Sequence, residues 1–265
     1  MNQSSAVKTG TKLQLSGFVL KWIAIITMLI DHIAAVVIEG RIDFINSHPD
    51  LYLRSNYFTL WTVYGVMRSI GRMAFPIFCF LIVEGFLHTR SVGKYALRLG
   101  IFALISEIPF DLAFRNSFTD FQYNNVFLTL LIGLLVLIGL KAVEKRFFGE
   151  NISMPKRCLG IFFMADIICL GMLIAECLYT DYGAAGVAAI ALLYVLRNYR
   201  MVAFGAAVVS LAVLSDPVEL WALLMLIPVH FYDGTRGREM KYFFYIFYPA
   251  HLLILTLICY GMGLR

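Results

Sequence analysis

Long apolar stretches, broken by short polar or basic segments, follow one another from Gly17 to Tyr260. They lack the alternation of polar and apolar positions that marks the strands of an outer-membrane barrel. A hydrocarbon core about 30 Å thick takes about 20 residues of helix to cross. On that template helices fall at roughly 17–39, 62–87, 93–114, 124–142, 157–178, 183–197, 200–215, 217–232 and 241–262. The pattern predicts an all-α, polytopic transmembrane helical bundle of about nine spans. The sixth to eighth segments are short and weakly separated, so about eight or ten spans stay open.

Composition narrows the function classes. Of the 265 residues, 60% are hydrophobic and only 15% charged, and the mean hydropathy is +0.79. That excludes disorder, a collagenous chain and an ordinary soluble enzyme. The 22 Phe and 14 Tyr suit helix contacts and interfacial anchoring. Cys79, Cys158, Cys169, Cys177 and Cys259 lie in or beside apolar stretches without paired spacing, and read as small membrane-core residues, not as disulfides or metal ligands. The first apolar run is too long for a removable signal and has no small-residue cleavage site, so it reads as a span that stays.

Basic residues set the orientation. With the N-terminus inside, the inner segments collect Lys141, Lys145, Arg146, Lys156 and Arg157 among others, while the outer ones hold Arg41, Arg54, Arg115 and Arg265. The bias predicts a cytoplasmic N-terminus, an outer C-terminus and a place in the cytoplasmic (inner) membrane. The net charge of +5 then reflects topology, with no nucleic-acid partner implied. Residues 1–265 read as one transmembrane domain with a cytoplasmic tail at 1–16. The longest loops are an outer one near 40–60, carrying Asp43, His48 and Asp50, and a basic inner one near 145–156. Function is expected inside the bundle.

Ionisable side chains in spanning helices are costly, about 2.5–3.5 kcal/mol each on insertion scales, and are functional candidates by default. Here they are Asp31, His32, Arg68, Arg72, Glu84, His88, Arg98, Glu107, Asp166, Glu176 and His251. At 1.5 Å per residue, His32, Arg72, Asp166 and His251 fall near the midplane together with Asp31. Glu84, His88 and Arg98 fall near the inner mouth, and Arg68, Glu107 and Glu176 nearer the outside.

Lys21 and His32 are eleven residues apart, almost three helical turns, so both project from one helix face. A cation below a central imidazole suits a ligand with an anionic head and a reactive tip, and coenzyme A has that form. The basic inner-end residues Arg90, Lys94, Arg98 and Arg236 would supply further phosphate contacts, with Glu84 and His88 as additional cofactor-binding candidates at that mouth. A snorkelling lysine is the plain alternative for Lys21, and a buried structural pair that for Asp31 and His32. Pro76 removes the helical partner of the Arg72 carbonyl, and Pro249 that of Tyr245; each is expected to kink its helix or open it towards a cavity.

The segments LKWIAIITMLIDHIAAV (20–36), SIGRMAFPIFCFLIVEGFLHT (69–89), KYALRLGIFALISEIPFDL (94–112), NNVFLTLLIGLL (124–135), DYGAAGV (181–187), YDGTRG (232–237) and YIFYPAHLLIL (245–255) resemble the TraX family in order along nearly the whole chain. The resemblance implies transfer of an acetyl group from acetyl-CoA, as in pilin acetylation. The Lys21-x10-His32 spacing also resembles the Arg-x10-His motif of the acyltransferase-three superfamily, with Lys in place of Arg. The acceptor stays open among a pilin or other peptide N-terminus, a glycan and a lipid, and a homo-oligomer is compatible.

Chemistry and resemblance together assign His32 as general base, Asp31 as its orienting or tuning neighbour, Arg72 as oxyanion stabiliser or carboxylate partner, and His251 as second base or acceptor-positioning group. Direct transfer and an acetyl-histidine intermediate both fit. The rival readings are a transporter or proton-coupled carrier with a midplane Asp/His/Arg site, against which no repeated halves appear, and a scaffolding protein. No metal-binding or nucleotide-binding motif is present, so no metal is expected.

Overall fold

A computed structural model describes residues 14–48, 50, 56–150 and 152–265. The predicted tail therefore lies largely outside the described residues, as do Lys8, Lys12 and Arg54. The protein is all-α. Its helices are α1 (Gly17–His32), continued by a π-helical segment (Ile33–Ile38) into α2 (Glu39–Asn46), then α3 (Tyr57–Gly71), α4 (Ala74–His88), α5 (Val92–Arg115) and α6 (Val126–Phe147). There follow α7 (Met154–Cys177), α8 (Gly183–Val195), α9 (Arg200–Leu214), a 3-10 segment (Pro217–Met225) running into α10 (Leu226–His230), and α11 (Lys241–Gly261).

Five helical rods among the described residues are long and apolar enough to cross a bilayer: 17–46, 57–88, 126–147, 154–177 and 242–261. These make the chain a membrane protein. Three further apolar helical stretches, 183–195, 200–214 and 217–230, are shorter.

Local chemistry sets the breaks. Pro76 has no N–H to offer the Arg72 carbonyl, and the 57–88 rod is interrupted by a turn at Arg72–Met73. Pro249 leaves α11 unbroken. Ser91 and Asn125 cap α5 and α6, accepting from the N–H groups of Lys94 and Phe127. Asn116 ends α5 in the left-handed conformation at φ 51°.

Small residues place α8 at the centre, against α4, α6, α7 and α9. Gly133 of α6 leaves the space into which Ile190 of α8 inserts. α7 is the opposite case: Ile161, Phe162, Leu170 and Leu173 are all exposed along its length. Asp166 shares that exposed surface. This corrects the expectation that Asp166 joins the central cluster, because a helix apolar on every side does not announce which face turns inward. Glu176 is also exposed, but it accepts from the Ala184 amide at the α7–α8 connection. Cys79 and Cys259 are buried, whereas Cys158, Cys169 and Cys177 are exposed; all five are free.

The segment before α1 is tied to the loop before α11. The Leu15 amide donates to Phe231 O (2.9 Å), the Asp233 amide to Leu15 O (3.0 Å) and the Gly17 amide to Thr235 O (2.7 Å). Gly234 and Gly237 take positive φ angles of 83° and 65°, which makes the YDGTRG segment a turn as its glycines suggest. α1 then runs alongside α11, and this pairing positions the site.

Candidate functional site

The two histidines expected at one level of the bundle meet. His32, the last residue of α1, and His251 of α11 approach to 2.6 Å between Nδ1 and Nε2, with ring planes 3° apart. The other nitrogen of His251, Nδ1, lies 2.8 Å from the Phe247 carbonyl oxygen. A carbonyl only accepts, so His251 Nδ1 bears the proton and a neutral His251 offers a lone pair at Nε2. His32 Nδ1 must then donate to it. Neutral His32 is thereby fixed with its lone pair on Nε2, which has no hydrogen-bond partner among the described residues. Phe247, stacked on His251 at 4.9 Å, and Phe114, edge-on to His32 at 5.5 Å, hold the rings in place.

Asp31 takes different partners. Its carboxylate receives Arg68 Nη1 at 2.6 Å and Arg72 Nη2 at 3.1 Å. Arg72 continues through Nη1 to Glu219 Oε1 at 3.1 Å and to the Tyr182 hydroxyl at 3.5 Å, while its Nε donates to the Arg68 carbonyl at 3.3 Å. All three guanidinium nitrogens of Arg72 are therefore committed. Of the two roles expected for Arg72, pairing with carboxylates is the one its geometry fits. Asp31, Glu219, Arg68 and Arg72 balance formally to zero charge, which is how such a cluster is held inside a low-dielectric bundle.

Three local features assemble it. Gly71, one residue before the break, lets the Asp31 side chain lie against the α3 backbone. Asp216 caps the 3-10 segment through the Val218 amide, and Pro217 starts it, which aims the fully buried Glu219 at Arg72. Tyr182 sits at φ 64°, rare for a bulky residue, and is held there by stacking on Phe75 with centroids 3.7 Å apart.

His32, Asp31, Arg68, Arg72, Tyr182 and Tyr248 are among the residues around a cavity of about 230 Å³. A wider recess of about 460 Å³ shares Ala35, Glu39, Phe114 and Tyr123 with it, and reaches Asp43 and Arg265 at the α2 end of the bundle. Asp181 also borders the inner cavity and accepts from the Tyr123 hydroxyl at 3.0 Å. Burial in its connection between α7 and α8 raises the Asp181 carboxyl to about 6.

The residues expected at the inner mouth gather at the opposite end of α1. Lys21 lies over the Phe244 ring at 5.3 Å, so Lys21 and His32 both face α11, as their spacing predicts. Arg236 donates to the His88 carbonyl at 3.3 Å, and Glu84 accepts from the Tyr232 hydroxyl at 3.2 Å. Arg98 lies over Tyr95 at 5.8 Å, with Nε buried and unpartnered. Arg90 and Lys94 are exposed where α4 passes into α5.

Sequence reasoning missed Glu219, Asp181 and Tyr182. Each lies in a short or connecting segment, where a charge or a phenol looks like an interfacial residue; the signal was a Glu two residues inside an otherwise apolar run. No group of three or more His, Cys, Asp and Glu side chains suited to a metal ion occurs among the described residues.

A family model described as "TraX protein" matches residues 16–259. The chain is also 29% identical over 266 aligned positions to a protein of Dichelobacter nodosus named "Probable fimbrial assembly protein FimC, serogroup H1", covering 91% of this chain and 94% of that one. No solved structure matches.

Proposed function

Since the chain belongs to the TraX family, we propose that it is an integral membrane acetyltransferase carrying an acetyl group from acetyl-CoA to an amine or hydroxyl acceptor. The observation that carries this reading is the directed relay from the Phe247 carbonyl through His251 to His32. It leaves a lone pair on His32 Nε2, on a residue that borders a cavity. An acceptor attacking a thioester must lose a proton, and a neutral imidazole of fixed tautomer is the group to take it. His251 positions His32, much as a carboxylate orients the histidine of a hydrolase triad.

Donor and acceptor approach from opposite ends in this reading. Lys21, Arg98 and Arg236 supply cations for the phosphates of CoA at the inner end, and a thioester arm runs along α1 to His32, about 16 Å away. The recess bordered by Glu39 and Asp43 gives the acceptor its approach from the other side. Asp31, Arg68 and Arg72 form a charged wall that keeps the cavity polar, with Glu219 buried behind Arg72. The name of the fimbrial relative favours a pilin or other peptide N-terminus over a glycan as acceptor. The full proposal has about nine spans, N-in and C-out, in the cytoplasmic membrane.

The test is binding and transfer with the detergent-purified protein. Acetyl-CoA and CoA should stabilise it against thermal unfolding and ATP should not. The labelled acetyl group of acetyl-CoA should move to a peptide amine in the wild type and not in His32→Ala. A folded protein that ignores CoA species would return the intramembrane charges to a transporter.

A further inference from the structure

We propose that Tyr248 is the hydrogen-bond donor to the thioester oxygen in the acetyl-transfer transition state, an inference that rests on the function proposed above. Tyr248 is three residues before His251, so α11 presents both side chains on one face. Its ring lies 6.0 Å from that of His32 and 5.7 Å from that of His251. The residue borders the His32 cavity and is 3% exposed. Nothing among the described residues accepts its proton. A buried O–H without an acceptor is costly, so its persistence beside a candidate base calls for an acceptor that arrives with the ligand.

Elimination points the same way. The obvious cation for an oxyanion, Arg72, has every guanidinium nitrogen engaged by Asp31, Glu219, Tyr182 or the Arg68 carbonyl. Swinging it away would strand the fully buried Glu219 and take from Asp31 one of its two arginines. A tyrosine hydroxyl whose proton is uncommitted needs no such rearrangement.

In the step, the acceptor nitrogen or oxygen bonds to the carbonyl carbon, the C=O π pair moves onto oxygen, and the acceptor's proton passes to His32 Nε2. Tyr248 donates to the resulting oxyanion and keeps its own proton. Collapse re-forms C=O and breaks C–S; the thiolate leaves with the bonding pair and is protonated by His32. Acetyl-CoA and H–X–R thus become acetyl–X–R and CoA thiol, with no oxidant or reductant needed.

The experiment follows release of CoA thiol from acetyl-CoA by the full-length protein in vesicles, with water or a short peptide bearing a free N-terminal amine as acceptor. Tyr248→Phe should lower kcat about 100-fold with KM close to unchanged, the pattern of an interaction made only in the transition state. Its thermal stability should stay close to wild type, because the hydroxyl proton has no acceptor to lose. 3-Fluorotyrosine at position 248, which keeps the hydroxyl, should restore turnover. Wild-type-like kcat in Tyr248→Phe overturns the proposal while leaving the acetyltransferase reading intact. Loss of stability in parallel with activity in Tyr248→Phe assigns the hydroxyl a structural role and also overturns it. A wild type that neither binds nor cleaves acetyl-CoA refutes both, and is recognised because the parent protein itself fails.

Discussion

The Asp31 carboxylate occupies the space that a Cβ on Gly71 would require. This contact lets α1 and α3 approach closely enough for Asp31 to reach Arg68 on the preceding turn and Arg72 on the next residue. Gly71→Ala should therefore cost about 1–3 kcal/mol of stability through overpacking and lower transfer activity. Detergent-solubilised thermal unfolding checks it; an alanine tolerated without loss would mean the two helices have room to spare.

The relay assigns unequal parts to the histidines. His32→Ala should abolish transfer while leaving stabilisation by CoA intact. His251→Ala should retain a residue of activity, about 10²–10⁴-fold below wild type, because His32 survives without its tautomer fixed. Single-turnover kinetics on both variants decides, and equal residual rates would remove the distinction.

Arg72 is the keystone of the charge cluster. Arg72→Met strands the fully buried Glu219 and leaves Asp31 with Arg68 alone, and should cost about 3–5 kcal/mol. Adding Glu219→Gln should recover part of that loss. A double-mutant cycle in thermal or denaturant unfolding measures the coupling, and strict additivity would contradict it.

Asp181 gives the fold a pH dependence of definite sign. Its carboxyl is raised to about 6 from an ordinary value of 3.8, so the folded state binds the proton more tightly than the unfolded one. Its contribution to stability is therefore favourable below the unfolded value and is lost as pH climbs through about 6. Asp181→Asn, which still offers Tyr123 an acceptor, should unfold at a higher temperature than wild type at pH 7.5 and show no such gain at pH 4. The same difference at both pH values would dissociate Asp181 from the effect.

Asp166 lies on the exposed face of α7, away from the cavity. Asp166→Leu should leave transfer kinetics unchanged. Steady-state turnover in vesicles checks it, and a loss of about tenfold or more would bring α7 into the site.

Much of the framework was legible beforehand. Apolar length located the helical ranges, and depth counting along α1 and α11 anticipated that His32 and His251 share a level. The eleven-residue interval correctly placed Lys21 and His32 towards the same neighbour. Facing was harder to read. Asp166 counts as central by depth but looks outward, because α7 is apolar on every side and its pattern has no phase. Arg68 counts as nearer the outside by its α-carbon, yet its long side chain reaches Asp31. The π-helical turn after His32 leaves no trace in hydropathy. Glu219 depends on a cap and a 3-10 start that are visible only once Asp216 and Pro217 are seen acting together.

The order in which these partners are made during synthesis follows from the chain positions they occupy. Asp31 meets Arg68 and Arg72 within 37 and 41 residues, so its charge finds counter-ions as soon as the second long rod enters the bilayer. His32 waits for His251, 219 residues later. At ribosomal speeds of about 5–20 residues per second, that is an interval of roughly ten to forty seconds. Throughout it the nascent protein carries a neutralised ion cluster beside an imidazole with no tautomer imposed. The relay is complete only once α11 has emerged, so a chain released before it inserts into the membrane without acquiring it.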